Sequence, residues 1–507
     1  MEETETEPRK HAMGFISCTS YVVGNIIGSG IFITPGSILE QTGSIGLSLA
    51  VWTGCGLVSI LGSICYIELG TSIPDPGCDF AYTCFVKWHS LAFAFMWVSV
   101  LMTYPASAAV QAQTFGQYIV EGFSISLHGV WQEVVTRSTG FIVLALLTLL
   151  NFYSLEKYAA RFQVVVTFAK MIAMAIIIFT GLYLLVFKGW THRLDQPFQG
   201  SIWHPGPICL AFYGGLWSYA GWDVLNYGTP EIHKPRRTMP LALLTGILIV
   251  MITYILINLA YFVVLDVTVI KNSDAVAADF ARAVLGNFRY AIPFMIAILL
   301  IGTLNSNIFV GSRYMQAAAW QGHLPPFISC IHGPSGSPRM ALLCQSLLTI
   351  AISFVDTDSL INYVTFVMWA QRVVTMSALL WIKFRHIQVD PGAIRVPLVF
   401  SILFLVISIA LVVVPLIQET KVTLIGIGIV LSGLLFYYPF VHSKHLPLIL
   451  SKVNDWATQS TERFLFSERN LRKAKQLNEV ENDEYLNDGE LDRLRTDGSS
   501  PEPPSRL

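Results

Sequence analysis

Three glycines and a proline fall inside one apolar stretch, Gly24-Asn-Ile-Ile-Gly28-Ser29-Gly30-Ile-Phe-Ile-Thr-Pro35. A second stretch repeats the pattern as Phe212-Tyr-Gly214-Gly215-Leu-Trp217-Ser-Tyr-Ala-Gly221-Trp222-Asp223. Each glycine inside a helix costs about 1 kcal/mol relative to alanine, so unwinding is cheapest at these two places. A helix broken there frees backbone amides at the N-terminus of its second half, and these hold an anion such as a carboxylate. Carbonyls at the opposing half-helix end hold a cation such as an ammonium. Packing through small residues would account for either stretch alone; their paired occurrence favours a binding site. Lys170 and Arg372 add two charges in mid-stretch, where charge is expensive and therefore functional by default.

The elements that carry these residues follow from composition. The chain has 507 residues, 53% hydrophobic and 13% charged, with a net charge of −1 and a mean hydropathy of +0.57. Globular domains carry about 25% charged residues. Residues 1–13 hold six of the 65 charges and residues 443–507 hold 22, leaving 37 for the 429 residues between. That distribution excludes a soluble enzyme and a disordered scaffold. The absence of a basic face excludes a nucleic-acid partner. An all-α polytopic membrane protein, with the lipid bilayer as its solvent, is the class that remains.

About 20 apolar residues cross the hydrocarbon layer. On that measure we expect twelve spans, near 14–40, 44–70, 89–119, 138–154, 158–187, 205–230, 240–265, 289–318, 339–355, 358–384, 395–418 and 421–442. An even count puts both termini on one side. Fourteen Lys and Arg residues in the short loops of that side, against seven opposite, predict cytoplasmic termini. The chain therefore divides into a cytoplasmic N-terminus over 1–13, a membrane domain over 14–442 and a cytoplasmic tail over 443–507. The tail has too little apolar surface to fold by itself, apart from a short helix around 448–478. The acidic start, Met1-Glu-Glu-Thr-Glu, lacks the charged leader and short apolar core of a cleaved signal peptide.

The two glycine-broken stretches are the first and sixth spans, the leading members of successive five-helix units. Inverted-repeat transporters place their sites in such pairs. The eight cysteines include no CxxC pair and suggest neither a disulfide framework nor a metal site. The eleven histidines all lie near loops or span ends, which supplies no intramembrane catalytic cluster. No cofactor is implied.

From about residue 14 to residue 442 the chain resembles the L-type amino acid transporters, light chains of heteromeric transporters in the amino acid–polyamine–organocation superfamily. The likeness rests on Ile26-Ile27-Gly28-Ser29-Gly30-Ile31-Phe32, Cys65-Tyr-Ile-Glu68-Leu-Gly70, Phe168-Ala-Lys170, Ala211-Phe212-Tyr213 through Gly221-Trp222, Gly322-His323 and Leu431-Ser-Gly-Leu-Leu-Phe436. The resemblance implies twelve helices, ten of them in a LeuT-like five-plus-five inverted repeat with helices one and six broken. It also implies sodium-independent exchange of amino acids at the plasma membrane by alternating access. Carried over by residue, Ile27, Gly28, Ser29 and Gly30 would take the substrate carboxylate. Carbonyls around Trp217, Ser218 and Gly221 would take its ammonium, with Trp217 as an aromatic gate. Lys170 would stand where sodium-coupled relatives hold an ion.

The sequence also departs from the family. The loop from Glu121 to Arg137 lacks the cysteine that bonds a heavy chain, so no disulfide-linked partner is expected. Gly77-Cys78 replaces a glycine pair. Ala220 stands where some members place an acid, which favours neutral amino acids over cationic ones. Asp223 replaces a residue commonly asparagine, and Arg372 replaces an apolar one. We expect Asp223 and Arg372 to face the central cavity and to pair, shaping a side-chain pocket with Ala220 and Trp369. The last residues, Ser505-Arg506-Leu507, fit the C-terminal ligand of a PDZ-domain scaffold. An amino acid sensor that keeps this fold, or a transporter of anionic or cationic amino acids, is the alternative reading.

Overall fold

A computed structural model describes residues 13–73, 77–122, 129–153, 156–227, 229, 232–273, 275–333, 335–418, 420–442 and 448–467. The carboxyl-terminal residues Ser505, Arg506 and Leu507 lie outside them, as do 1–12 and part of the loop between the third and fourth expected spans. Among the described residues the chain is helical with one isolated β-bridge, Met13 to Ile232.

In chain order the helices are α1 (Phe15–Ile26), α2 (Gly30–Ile33), α3 (Pro35–Thr42), α4 (Ile45–Ser72), α5 (Asp79–Phe85), α6 (His89–Val98) and α7 (Tyr104–Gly122). They continue as α8 (Val130–Phe152), α9 (Glu156–Phe187), α10 (Pro205–Ser218), α11 (Pro235–Val264), α12 (Val267–Lys271), α13 (Val276–Val284) and α14 (Ala291–Trp320). The last five are α15 (Arg339–Ile352), α16 (Thr357–Arg385), α17 (Leu398–Gln418), α18 (Thr420–Phe436) and α19 (Leu448–Leu465). Among the described residues nine helical stretches are long and apolar enough to cross a membrane. Two more, Arg339–Ile352 and Leu424–Phe436, are apolar but shorter. The expected sixth span is α-helical only to Ser218, because its glycine-rich second half leaves the helix.

Local chemistry sets several ends. Proline opens α3, α10 and α11, where its missing N–H is not needed. Asp356 caps α16 by accepting from the Ser359 amide at 2.8 Å.

The chain forms two compact units. One comprises 1–312 with 342–445, and the other 313–341 with 446–507. The first is a helix bundle centred on α1, α4, α10 and α11. Trp52 of α4 meets Tyr254 of α11 edge-on at 5.4 Å between centroids, and Tyr219 lies 5.0 Å from Tyr254. Its outer faces are apolar as well. On α8, Ile142, Leu146, Leu149 and Leu150 are exposed, as are Phe168, Ile172 and Phe179 on α9. Water would not tolerate stripes of that size on a monomer, whereas lipid requires them. In the second unit, Arg339 Nη1 donates to the Leu465 carbonyl of α19 at 2.8 Å. All eight cysteines are thiols outside any disulfide, six of them buried.

One end of the first unit gathers the start of α1 and the loops before α11 and after α16. There Lys383 meets Glu68 at 2.7 Å and Arg236 meets Asp390 at 2.8 Å. The Asp390 amide donates to the Ser72 carbonyl at 3.2 Å.

Candidate substrate site

Helix α1 stops at Ile26, and Ile27 leaves the helical region with φ −71° and ψ 86°. The chain re-enters helix at Gly30. The last carbonyls of a helix have no intrahelical donor, and here Lys170 of α9 supplies one. Its Nζ donates to the Gly24 carbonyl at 2.8 Å and to the Ile27 carbonyl at 2.6 Å. An ammonium at the negative end of a half-helix dipole is placed favourably, which explains how a lysine only 4% exposed persists here.

Beyond the break, Ser29 and Gly30 open α2, and first-turn amides lack intrahelical acceptors. The Gly28 amide is engaged by the Ile26 carbonyl at 2.8 Å. Gly30 is required by close approach. A β-carbon there would lie 2.6 Å from Ser218 Cα, so only a hydrogen fits between the two broken helices. Thr34 and Ser218 fix the same contact with hydroxyls 2.8 Å apart.

The second break follows Ser218. Gly221 adopts φ +94°, which glycine reaches without strain, and Val224–Tyr227 resumes as a 3-10 turn. One hydroxyl ties the two breaks together. Tyr254 Oη stands 3.1 Å from the Ile26 carbonyl and 3.0 Å from the Ser218 carbonyl. Asn25 Nδ2 reaches the Gly221 carbonyl at 3.4 Å.

Between the breaks lies a cavity of about 380 Å³. Its lining brings together Ile27, Gly28, Ser29, Gly30, Lys170, Trp217, Ser218, Ala220 and Gly221. The opposite wall is polar, with Tyr104, Ser107 and Gln111 from α7 and Thr303, Ser306 and Asn307 from α14. The sequence reading missed these. Their three- and four-residue spacing within apolar helices places them on one face and was the available signal. Tyr254 gave no such signal. A cavity with amide groups on one side and carbonyl groups on the other can hold a zwitterion whose ammonium and carboxylate share one carbon.

Three expected pocket residues do not line the cavity. Asp223 and Arg372 do pair, with Nη2 3.4 Å from Oδ2, yet they do so in a separate buried cluster. The guanidinium lies 4.3 Å over the Trp222 ring and 5.5 Å from that of Trp369. The left-handed turn at Gly221 is why. It carries Asp223 past the cavity and against Tyr66 of α4 and Asp79 of α5. Tyr66 donates to Asp79 Oδ1, and Thr375 of α16 does so at 2.7 Å.

An amino acid permease family model matches residues 13–442. Amino acid transporter protein 6 of Caenorhabditis elegans is 47% identical over 442 residues, covering 87% of this chain and 84% of that protein. Human b(0,+)-type amino acid transporter 1 is 35% identical over 87% of this chain and 90% of its own length. The human cystine/glutamate transporter is 35% identical over 85% of each. The resemblance read from the glycine-broken spans is borne out over the same range of the chain. A multi-pass membrane protein with a cavity between two broken helices, this chain belongs to the amino acid permease family of the amino acid–polyamine–organocation superfamily.

Proposed function

We propose that the chain is a sodium-independent amino acid exchanger of the plasma membrane, preferring neutral amino acids and working by alternating access. The observation that carries this reading is the cavity shared by both helix breaks, with Lys170 Nζ on the Gly24 and Ile27 carbonyls. A fixed ammonium there leaves no vacancy for a sodium ion among those oxygens. The substrate carboxylate sits against the amides of Ser29 and Gly30, with Ile27 and Gly28 forming the turn beneath it. The ammonium faces the carbonyls around Trp217, Ser218 and Gly221, and Trp217 closes over it. Ala220 contributes a methyl group and no charge, which favours a neutral side chain.

In this reading the membrane domain has twelve spans, ten in a five-plus-five inverted repeat, and both termini are cytoplasmic. No disulfide-linked heavy chain is needed, and the chain carries out transport, not catalysis. The terminal Ser505-Arg506-Leu507 serves as a PDZ ligand.

Reconstituting the purified full-length chain alone in proteoliposomes tests this. Vesicles preloaded with unlabelled leucine are expected to accumulate labelled leucine by counterflow, equally in sodium and in choline. Binding without counterflow would establish a sensor instead. Competition by lysine or glutamate stronger than by leucine would overturn the neutral preference.

A further inference from the structure

Outside the cavity, two buried carboxylates face one another. Asp79 opens α5 and Asp223 lies in the unwound segment after Ser218, each only 8% exposed. Their oxygens and the Cys78 sulfur all lie within 4.8 Å of one another. Among the described residues one cation faces them. Arg372 of α16, 4% exposed, brings Nη2 to 3.4 Å from Asp223 Oδ2, while its buried Nη1 has no hydrogen-bond partner among the described residues.

The other titratable groups turned towards the pair are uncharged in their ordinary state. They are Tyr66 on α4, Cys78 and Tyr82 beside and within α5, Tyr104 on α7 and Tyr227 on the 3-10 turn. Lys383 is held by Glu68 at 2.7 Å. Two ionised carboxylates against one guanidinium would bury a net negative charge. Burial disfavours the ionised form of a carboxyl, and the ion pair of Arg372 is with Asp223, so Asp79 is the carboxyl left to take a proton. Both hydroxyl bonds to Asp79, from Tyr66 and Thr375, go to Oδ1. Oδ2 is therefore the oxygen available to carry a proton. The guanidinium 3.4 Å from Asp223 would repel a metal cation from the same position.

We propose that Asp79, beside the Asp223–Arg372 pair, is a proton-binding site, and that transport by this chain requires that proton. The inference rests on the exchanger reading above. The coupling is mechanical. Asp223 is two residues from Gly221 and three from Ala220, both in the cavity wall. Loss of the proton sets Asp223 against Asp79 and pushes the unwound segment away from α5. The proton returns to bulk water when that segment moves, so substrate and proton cross in linked steps.

The test uses the full-length chain in proteoliposomes. Labelled leucine counterflow is followed from about pH 5.5 to about pH 8.5, above the ordinary carboxylate range, because burial raises a carboxyl. For one required proton, the rate should fall by up to about tenfold per pH unit above the midpoint. Asp223→Asn and Asp79→Asn, each keeping a hydrogen-bonding amide, should flatten the normalised pH profile. Counterflow that is present but flat with pH would overturn the proton site and leave the exchanger reading intact. Counterflow absent at every pH would overturn the exchanger reading. If both variants lose counterflow, the melting temperature in detergent decides the matter. A step in its pH dependence that is present in the wild type and lost in both variants supports the site, and a step retained in both overturns it.

Discussion

Replacing Gly30 by alanine probes the contact on which the candidate site depends. The added methyl would stand 2.6 Å from Ser218 Cα, 2.7 Å from its Oγ and 2.8 Å from its Cβ. Ordinary contact begins near 3.4 Å, so α2 and α10 must separate by the difference, about 0.8 Å. The closest obstacle is backbone, and no side-chain rotation relieves it. The same movement lengthens the Thr34–Ser218 bond from 2.8 Å and draws the Ser218 carbonyl away from Tyr254. Overpacking of this kind costs about 1–3 kcal/mol, equivalent to about fivefold to 150-fold in an equilibrium constant. We expect Gly30→Ala to reduce leucine counterflow at subsaturating substrate by a factor in that range, with a lowered melting temperature. Gly428→Ala is the control. Gly428 is exposed on α18 with no neighbour within 4 Å of an added β-carbon, so its effect should stay within about twofold. A Gly30→Ala protein with wild-type affinity, rate and melting temperature would refute the claim that the two broken helices meet through this residue.

Lys170→Met removes the donor to the Gly24 and Ile27 carbonyls. Each buried carbonyl left unsatisfied costs about 1–3 kcal/mol, so exchange should be lost or become sodium-dependent, as uptake in sodium against choline will report. Tyr254→Phe withdraws a hydroxyl shared by the Ile26 and Ser218 carbonyls and should destabilise by about 1–3 kcal/mol. Its melting temperature should fall while any transport that remains stays sodium-independent. Arg372→Gln leaves Asp223 without its partner, and breaking a buried pair in this way costs about 3–5 kcal/mol. The double variant with Asp223→Asn should lose less than the two single losses combined, measured by denaturation of the detergent-solubilised protein.

Much of this arrangement was legible before any coordinates. Charges thinned to 37 over the middle 429 residues placed that stretch in a membrane, because hydrocarbon excludes them. The runs Gly28-Ser29-Gly30 and Gly214 to Gly221 marked both helix breaks, because glycine makes unwinding cheap at membrane depth. Lys170 was conspicuous for the same reason: a lone ammonium among apolar residues must answer some local negative charge. The pairing of Asp223 with Arg372 followed from charge neutrality alone.

Where that pair would sit was not legible. It was expected in the cavity wall, and the left-handed turn at Gly221 carries it to a separate cluster with Asp79. Nor did the sequence reveal that the Tyr254 hydroxyl bridges the two breaks, or that α7 and α14 supply the facing wall. Local composition determines where a helix can exist, where it breaks and which charges need partners, since those costs are set by a residue and its immediate neighbours. Which partner each finds depends on contacts between residues 149 apart, as for Arg372 and Asp223, or 296 apart, as for Thr375 and Asp79. Packing alone decided those contacts, because side-chain volume and helix crossing fix them only when the whole bundle is assembled.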